Sequence, residues 1–433
     1  MPQLLSDLDT YIAAFSDYLE ASPSAHHATA TIAEALRGAG FADVDETESF
    51  PAVEGGSRGF VRRQGALIAW CAGEGVSATS PVRVLGCHTD STGFVLKPRP
   101  DFSNKGWTQA AVEIYSGPLM NSWLDRDLAF AGQVVTRDGA EYLIRTGAVA
   151  RIPQLAIHLD RDVNTDGVRL DRQKQTQPII GVGDTSAMEL IAAAAGVAVA
   201  DIAGTDVRLA DTQPPQRIGA DRELLVAGRL DNLSSTFAGL AAMLETVPAP
   251  GTISVLAAFD HEEIGSASRT GASGPFLSDV LDRLRTALGA SADETVRAMN
   301  LSWCISADAG HAVHPNYAEK HDPNVHPYAG LGPMLKVNAT QRYATEPFGA
   351  ALWQRCAATA GVPTQTFVSN NSVPCGSTIG PLTATRIGIR TVDVGVGLLS
   401  MHSARELAHV DDLHGLARII GAFFAEPETE TSR

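Results

Sequence analysis

Basic residues, cysteines and long apolar runs are all scarce in this 433-residue chain, and each shortage excludes something. Lys and Arg number 33 against 49 Asp and Glu, a formal charge of −16. A nucleic-acid binder needs clustered cations on the phosphate backbone, so no nucleic-acid partner is expected. The five cysteines (Cys71, Cys87, Cys304, Cys356 and Cys375) are scattered, odd in number and in no CxxC spacing. They read as reduced thiols of a cytoplasmic protein and do not support a cysteine zinc site. The longest uncharged apolar run, about Leu190–Ala200, is Ala-rich and well short of the roughly 18 residues of a membrane span. Met1–Asp7 lacks the basic and apolar regions of a signal peptide, so neither a membrane partner nor secretion is expected. What remains is globular material, 44% hydrophobic and 19% charged, long enough for about two or three domains.

Leu5, Leu8, Ile12, Phe15 and Leu19 recur at helical spacing. Ser22-Pro23-Ser24 breaks that helix, and Ser24 can cap a second one that Gly38 and Gly40 end. Ala66–Cys71, Val82–Cys87, Thr252–Phe259, Leu301–Ser306 and Arg390–Val394 are nearly all apolar, as strands buried on both faces are. Helical patterns lie at Leu233–Leu244, Phe276–Leu288, Phe348–Ala360 and Leu413–Phe424. Between them the texture changes. Lys97-Pro98-Arg99-Pro100 reads as a linker, and short alternating runs (Ala111–Tyr115, Gln133–Thr136, Glu141–Ile144) follow, as in antiparallel β structure. The expected fold is α/β: a mostly parallel central sheet with helices on both faces, split into residues 1–96 and 230–433, with a β-rich insertion at 97–229. The polar tail from Glu426 is expected to be disordered.

In such folds sites gather where strands end. His88-Thr89-Asp90 follows one buried run, a pattern that suits a metal ligand and the carboxylate that fixes its tautomer, or simply a histidine in a turn. Asp260-His261-Glu262-Glu263 follows another. Adjacent carboxylates there can divide the work, one on a metal and one taking a proton from water, or they can form an acidic helix start. Asp308 and His402 follow two further strands, and Asp231 precedes an apolar helix, where an N-cap is the plain alternative. Together these residues are the ligand stock of a two-metal hydrolytic site. Imidazole and carboxylate donors without thiolate suit Zn, with Mn or Co possible.

These residues sit in blocks that resemble the M18 metallopeptidases, the aspartyl aminopeptidases. The blocks are Ser22-Pro23-Ser24 with His27-Ala28, Gly86-Cys87-His88-Thr89-Asp90-Ser91, Arg229-Leu230-Asp231-Asn232, Glu262-Glu263-Ile264-Gly265-Ser266, Asp308 to Tyr317, Pro374 to Pro381, and Met401 to Glu406. They span nearly the whole chain in the family's order. His261 stands where Asn is expected before the glutamate pair, and it touches no ligand position. The resemblance implies a zinc-exopeptidase-like core. In it Asp231 bridges two ions, His88 and Asp308 hold one, and Glu263 and His402 hold the other. Glu262 is then the general base and Asp90 orients His88. The resemblance also implies a homo-oligomer, usually a tetrahedral dodecamer built from dimers packed through the insertion.

His158 lies inside the insertion between apolar residues. A core histidine is the usual reading of such a residue. The family match implies instead that it reaches a neighbouring subunit's site and contacts the scissile carbonyl, or alternatively binds metal. Lys336 falls where the family keeps its substrate lysine, although a snorkelling strand lysine is the plain alternative. Tyr343 and His311 match further substrate-side positions. His314, His321 and His326 are expected near the site but not as ligands, and Cys375–Gly380 as a tight loop beside it. The implied activity is removal of acidic residues from peptide N-termini. The alternatives are the same centre acting on neutral N-termini or as an N-acyl amino acid deacylase, and a silent peptide-binding shell.

Overall fold

A computed structural model describes residues 3–427; of the tail expected to be disordered from Glu426, residues 428–433 lie outside the described residues, whereas Glu426 pairs with Arg355 at 3.0 Å. The first helix runs Leu8–Ala21, starting later than the apolar repeat because the Asp7 side chain caps it by accepting from the Thr10 N–H. The second, Ala25–Gly38, is capped by Ser24 as the sequence suggests.

Among the described residues, nine strands form the core sheet. Its centre is four mutually parallel strands in the order Ile253–Phe259, Val82–His88, Trp303–Ala307 and Arg390–Gly395. Antiparallel strands flank them, Ala66–Ala72 on one side and Met334–Lys336 on the other. Alternate residues of one strand feed different faces. Leu85 and Cys87 pack with the helices Leu230–Glu245 and Val410–Ala425. Val82 and Val84 pack with Phe276–Ala287 and Ile379–Ile387. Both faces are therefore covered, which is why the central strands read as unbroken apolar runs rather than alternating ones. The four strands end at a common edge, with His88 paired to Phe259 at its lip.

A second, six-stranded sheet is antiparallel wherever its strands pair and is built from strands between Gly93 and Val182 together with Ile202–Asp211. It has its own core around Phe94, Phe130 and Val207. Lys97–Pro100, expected as a linker, lies inside the strand Gly93–Asn104. The two prolines fall where pairing with Trp107–Tyr115 breaks register between Leu96 and Asp101. A proline gives no ladder hydrogen bond, and an irregularity needs none there.

A third sheet of five short strands was not expected from the sequence. It joins Gln216–Ile218 and Leu224–Ala227 to Glu406–His409, Gly397–Leu399 and Gly310–His311. The strand expected at Leu301 starts at Trp303, because the helix Ala292–Leu301, opened by a Ser291/Glu294 capping box, runs through that residue. The apolar run from Leu190 supplies only the helix Ala187–Ala195, which Gly196 ends in the left-handed conformation that glycine adopts freely.

Candidate metal centre

His88 closes its strand and is buried at 1% exposure. Its Nε2 lies 3.3 Å from Asp308 Oδ1 and 3.3 Å from Asp231 Oδ1. Its Nδ1 donates to the Asp90 carbonyl at 3.0 Å, with Asp90 Oδ1 at 3.3 Å, so Nε2 is the nitrogen that faces the two aspartates. Asp308 is the first residue after the adjacent parallel strand. Asp231 lies at the start of the segment Leu230–Glu245, behind Arg229, whose backbone is left-handed; Asp231 and Asn232 themselves are not helical, and the peptide between them is cis. Its second oxygen, Oδ2, is 3.4 Å from His402 Nε2, which is 3.5 Å from Glu263 Oε2. His402 stands on the turn between Gly397–Leu399 and Glu406–His409. Glu262 and Glu263 form a single 3-10 turn after Ile253–Phe259, with Glu262 Oε2 4.0 Å from His88 Nε2.

Two groups of ligand atoms result, His88 with Asp231 and Asp308, and Asp231 with Glu263 and His402. Within each, all atoms lie within 4.8 Å of one another, and Asp231 belongs to both. Glu263 Oε1 is buried with no hydrogen-bond partner, and buried Asp231 Oδ1 has only the His88 Nε2 contact at 3.3 Å. Orphaned carboxylate oxygens at low exposure fit the coordination of cations, and an imidazole–carboxylate donor set fits zinc.

The electrostatics fit as well. Burial opposes charge on His88 and His402, yet the carboxylates outweigh it. Asp231, Asp308 and Asp90 hold His88 well above the usual imidazole value, and Asp231 with Glu263 raises His402 to about 10. Burial, with Asp308 and Asp231 nearby, pushes Glu262 up to about 8. Burial and Asp231 push Glu263 well above the usual value, while both histidines hold Asp231 below it against its burial.

That arrangement sets a pH dependence. For Glu262, its ordinary pKa of 4.5 is the unfolded value, and stability present below it is lost as pH rises through about 8. For His402 the same loss runs from 6.5 to about 10. Asp231 is depressed from 3.8, so its contribution is constant across this window. The chelated protein is expected to lose Tm between about pH 6 and about pH 9, while the Tm gained on adding zinc grows, because the proton lost from His402 frees a nitrogen of one candidate ligand group and the proton lost from Glu262 adds a negative charge beside both. A thermal-unfolding series checks this; a zinc-induced gain that shrinks toward high pH contradicts it.

Of the substrate-side candidates, Lys336, Tyr343 and His311 line one cleft of about 520 Å³ together with Asp231, Glu262, Glu263, Asp308 and His402. Lys336 is no snorkelling lysine. It is 2% exposed, and its Nζ donates to the Ala309 carbonyl at 2.8 Å, lies 3.6 Å from Asp308 Oδ2 and sits 5.4 Å from the Tyr343 ring centroid. His314 and His321 line the cleft but join neither group, and Gly376, Ser377 and Thr378 form part of its wall. His158 is exposed and is not among the lining residues.

Glu406 was missed as a site residue. It is buried, and its two oxygens accept the N–H of Asp231 at 3.0 Å and of His402 at 2.8 Å, tying together the segments that carry these two residues. An acid opening a buried strand four residues after His402 was the available signal.

The family model Aminopeptidase I zinc metalloprotease (M18) matches residues 18–424. The chain is 51% identical over 415 residues to a probable M18 family aminopeptidase 2 of Streptomyces coelicolor, covering 94% of this chain and 95% of that protein. It superposes on an Ape4 chain from a complex with Nbr1 at TM-score 0.93 and 32% identity, covering 98% of this chain and 87% of that one. It superposes on the S. cerevisiae mApe1 dodecamer at TM-score 0.83 and 27% identity, covering 96% of each chain.

Proposed function

The chain belongs to the M18 family of zinc metalloproteases, whose curated relatives are named aminopeptidases, and on that premise we propose that it removes Asp or Glu from peptide N-termini at a two-metal centre. The observation that carries this reading is one cleft lined by Asp231, by Asp308 of one group, by Glu263 and His402 of the other, and by a buried lysine. His88 and Asp308 would hold one divalent ion, Glu263 and His402 the other, and Asp231 both. Zinc suits the donors best, with manganese or cobalt as substitutes. When bound, such a pair supplies Lewis acidity and a water of lowered pKa.

The chain's own residues do the rest. Glu262, in neither group, takes the proton of the attacking water and returns it to the leaving amine. Asp90 holds the His88 tautomer. Carboxylates around the second group retain the free N-terminal amine, which restricts cleavage to the first residue. Lys336 reads the acidic side chain, with Tyr343 and His311 as further substrate contacts. The insertion, taken as residues 97–229, packs copies of the chain into dimers and gates substrate, within a homo-oligomer that we take to be a tetrahedral dodecamer. The exposed Leu155, Ile157 and Leu159 around His158 support a packing surface there. A cytoplasmic location agrees with the reduced cysteines; no helix among the described residues is long and apolar enough to cross a membrane.

Matched Asp-, Glu- and Leu-initiated peptides, assayed with and without a chelator, test the reading. Acidic residues should be released, and only with metal. Lys336→Met should lower kcat/KM on the Asp peptide about a hundredfold, the worth of a desolvated charged hydrogen bond, and leave the Leu peptide nearly unaffected. An unchanged Asp/Leu preference rejects the lysine. Release favouring Leu installs the neutral-residue reading, and turnover of N-acyl amino acids alone installs the deacylase.

His158 is proposed to reach a neighbouring subunit's cleft and polarise the scissile carbonyl. His158→Phe should cost about a hundredfold or more in kcat, on the scale of a lost oxyanion donor, with the bound metal unchanged. Loss of zinc from the variant, read by elemental analysis, assigns His158 to the metal instead.

A further inference from the structure

Three consecutive residues of the β-rich insertion reach the metal centre of the core, and no ligand assignment uses them. Tyr115 ends the strand Trp107–Tyr115, and its hydroxyl donates to Asp90 Oδ2 at 2.8 Å. The Ser116 hydroxyl donates to Glu263 Oε2 at 3.4 Å. The Gly117 carbonyl accepts from His402 Nδ1 at 3.1 Å, and two residues on, the Leu119 N–H donates back to the His402 carbonyl at 2.9 Å.

Each contact bears on a different part of the centre. A carbonyl on Nδ1 fixes the His402 tautomer and turns its Nε2 lone pair toward Asp231 and Glu263. Asp90 passes the Tyr115 contact onward. Its Oδ1 accepts the Glu262 N–H at 3.0 Å and its Oδ2 the Glu263 N–H at 3.1 Å, so its height sets that of the glutamate turn. Tyr115 is itself held in place. The Arg208 guanidinium, from the strand Ile202–Asp211 of the same sheet, lies 4.1 Å from its ring centroid. Ser116 sits in the left-handed region at φ 64°, which a non-glycine residue adopts at a cost that its surroundings must offset.

We propose that Tyr115–Gly117 is a positioning element for both metal groups. Through it the insertion acts on the centre of its own subunit, setting the His402 tautomer and the placement of the Glu262–Glu263 turn. This is separate from any contact the insertion makes with another copy, and it rests on the two-metal reading above.

Tyr115→Phe in the full-length, assembled protein removes one oxygen and keeps the ring over Arg208. Zinc per chain and zinc affinity, by competition with a chromophoric chelator, are measured beside kcat, KM and the Tm of the chelated protein. The expected result is a 10- to 100-fold loss in the affinity of the weaker ion and in kcat, the range for outer-shell partners, with KM within about twofold and Tm unchanged. Tyr142→Phe, on the strand Glu141–Arg145 of the same sheet, is the control and should match the parent. A Tyr115→Phe protein within about threefold of the parent in both zinc affinity and kcat overturns the inference, as does a loss seen only together with a lowered Tm. A parent holding fewer than two ions per chain overturns the two-metal reading and this inference with it. A parent that holds two, with an indistinguishable variant, overturns the inference alone.

Discussion

Asp231→Asn is expected to yield a folded chain that binds neither ion tightly and has lost kcat by at least about a thousandfold, because the Lewis acidity of a metal pair is worth several kcal/mol at 1.36 kcal/mol per tenfold. The size follows from geometry. Asp231 is the one residue common to both groups, with Oδ1 3.3 Å from His88 Nε2 and Oδ2 3.4 Å from His402 Nε2. An asparagine keeps the shape but presents an oxygen to one side only; its NH₂ faces the other and cannot ligate. Asp308→Asn disables a residue of one group and should spare the second ion, which separates loss of sharing from loss of charge. Zinc counting on both variants checks the expectation. Two tightly held ions in Asp231→Asn would show that it does not bridge.

Much of the core was legible because its signals are long. Val82–His88 and Ile253–Phe259 are seven residues each and buried throughout, so apolar composition alone marks them. Their parallel pairing then brings the residues that follow, His88 and Asp90 on one side and Asp260 to Glu263 on the other, to one edge. What could not be read is short. The third sheet rests on strands such as Gly310–His311 and Gly397–Leu399, two and three residues long, too brief to show a period of two. Yet that sheet presents the His402 turn, so His402 was legible as chemistry while its support was not.

Partners across long sequence distances were equally hidden. Glu406 is 175 residues from the Asp231 N–H it accepts, and Gly117 is 285 from the His402 ring it holds. A backbone carbonyl has no residue-type signature at all. His26 pairs with Asp206 of the second sheet at 2.8 Å and helps dock that sheet on the core, a contact 180 residues apart in the chain. Lys336 is marked in the sequence by the family resemblance, but only the packing gives its depth and its two oxygen neighbours.

Glu262→Gln is expected to keep both ions and lose kcat by about two to four orders of magnitude, the range for a positioned general base. Glu262 belongs to neither ligand group, although its Oε2 is 4.0 Å from His88 Nε2. Its backbone N–H, not its side chain, ties it to Asp90, so the amide variant keeps the turn in place. What it loses is basicity alone. In the metal-free chain, burial with Asp308 and Asp231 nearby raises the carboxyl to about 8. Cations beside it act with the opposite sign and favour the carboxylate a base requires. The parent's kcat should therefore fall as pH drops through the loaded enzyme's Glu262 pKa, and the variant's residual rate should lack that limb. Zinc content, kcat and pH profile together decide the matter. A Gln variant with full zinc and more than about a tenth of the parent rate, less loss than the weakest general-base effect, would assign the proton transfer to another group.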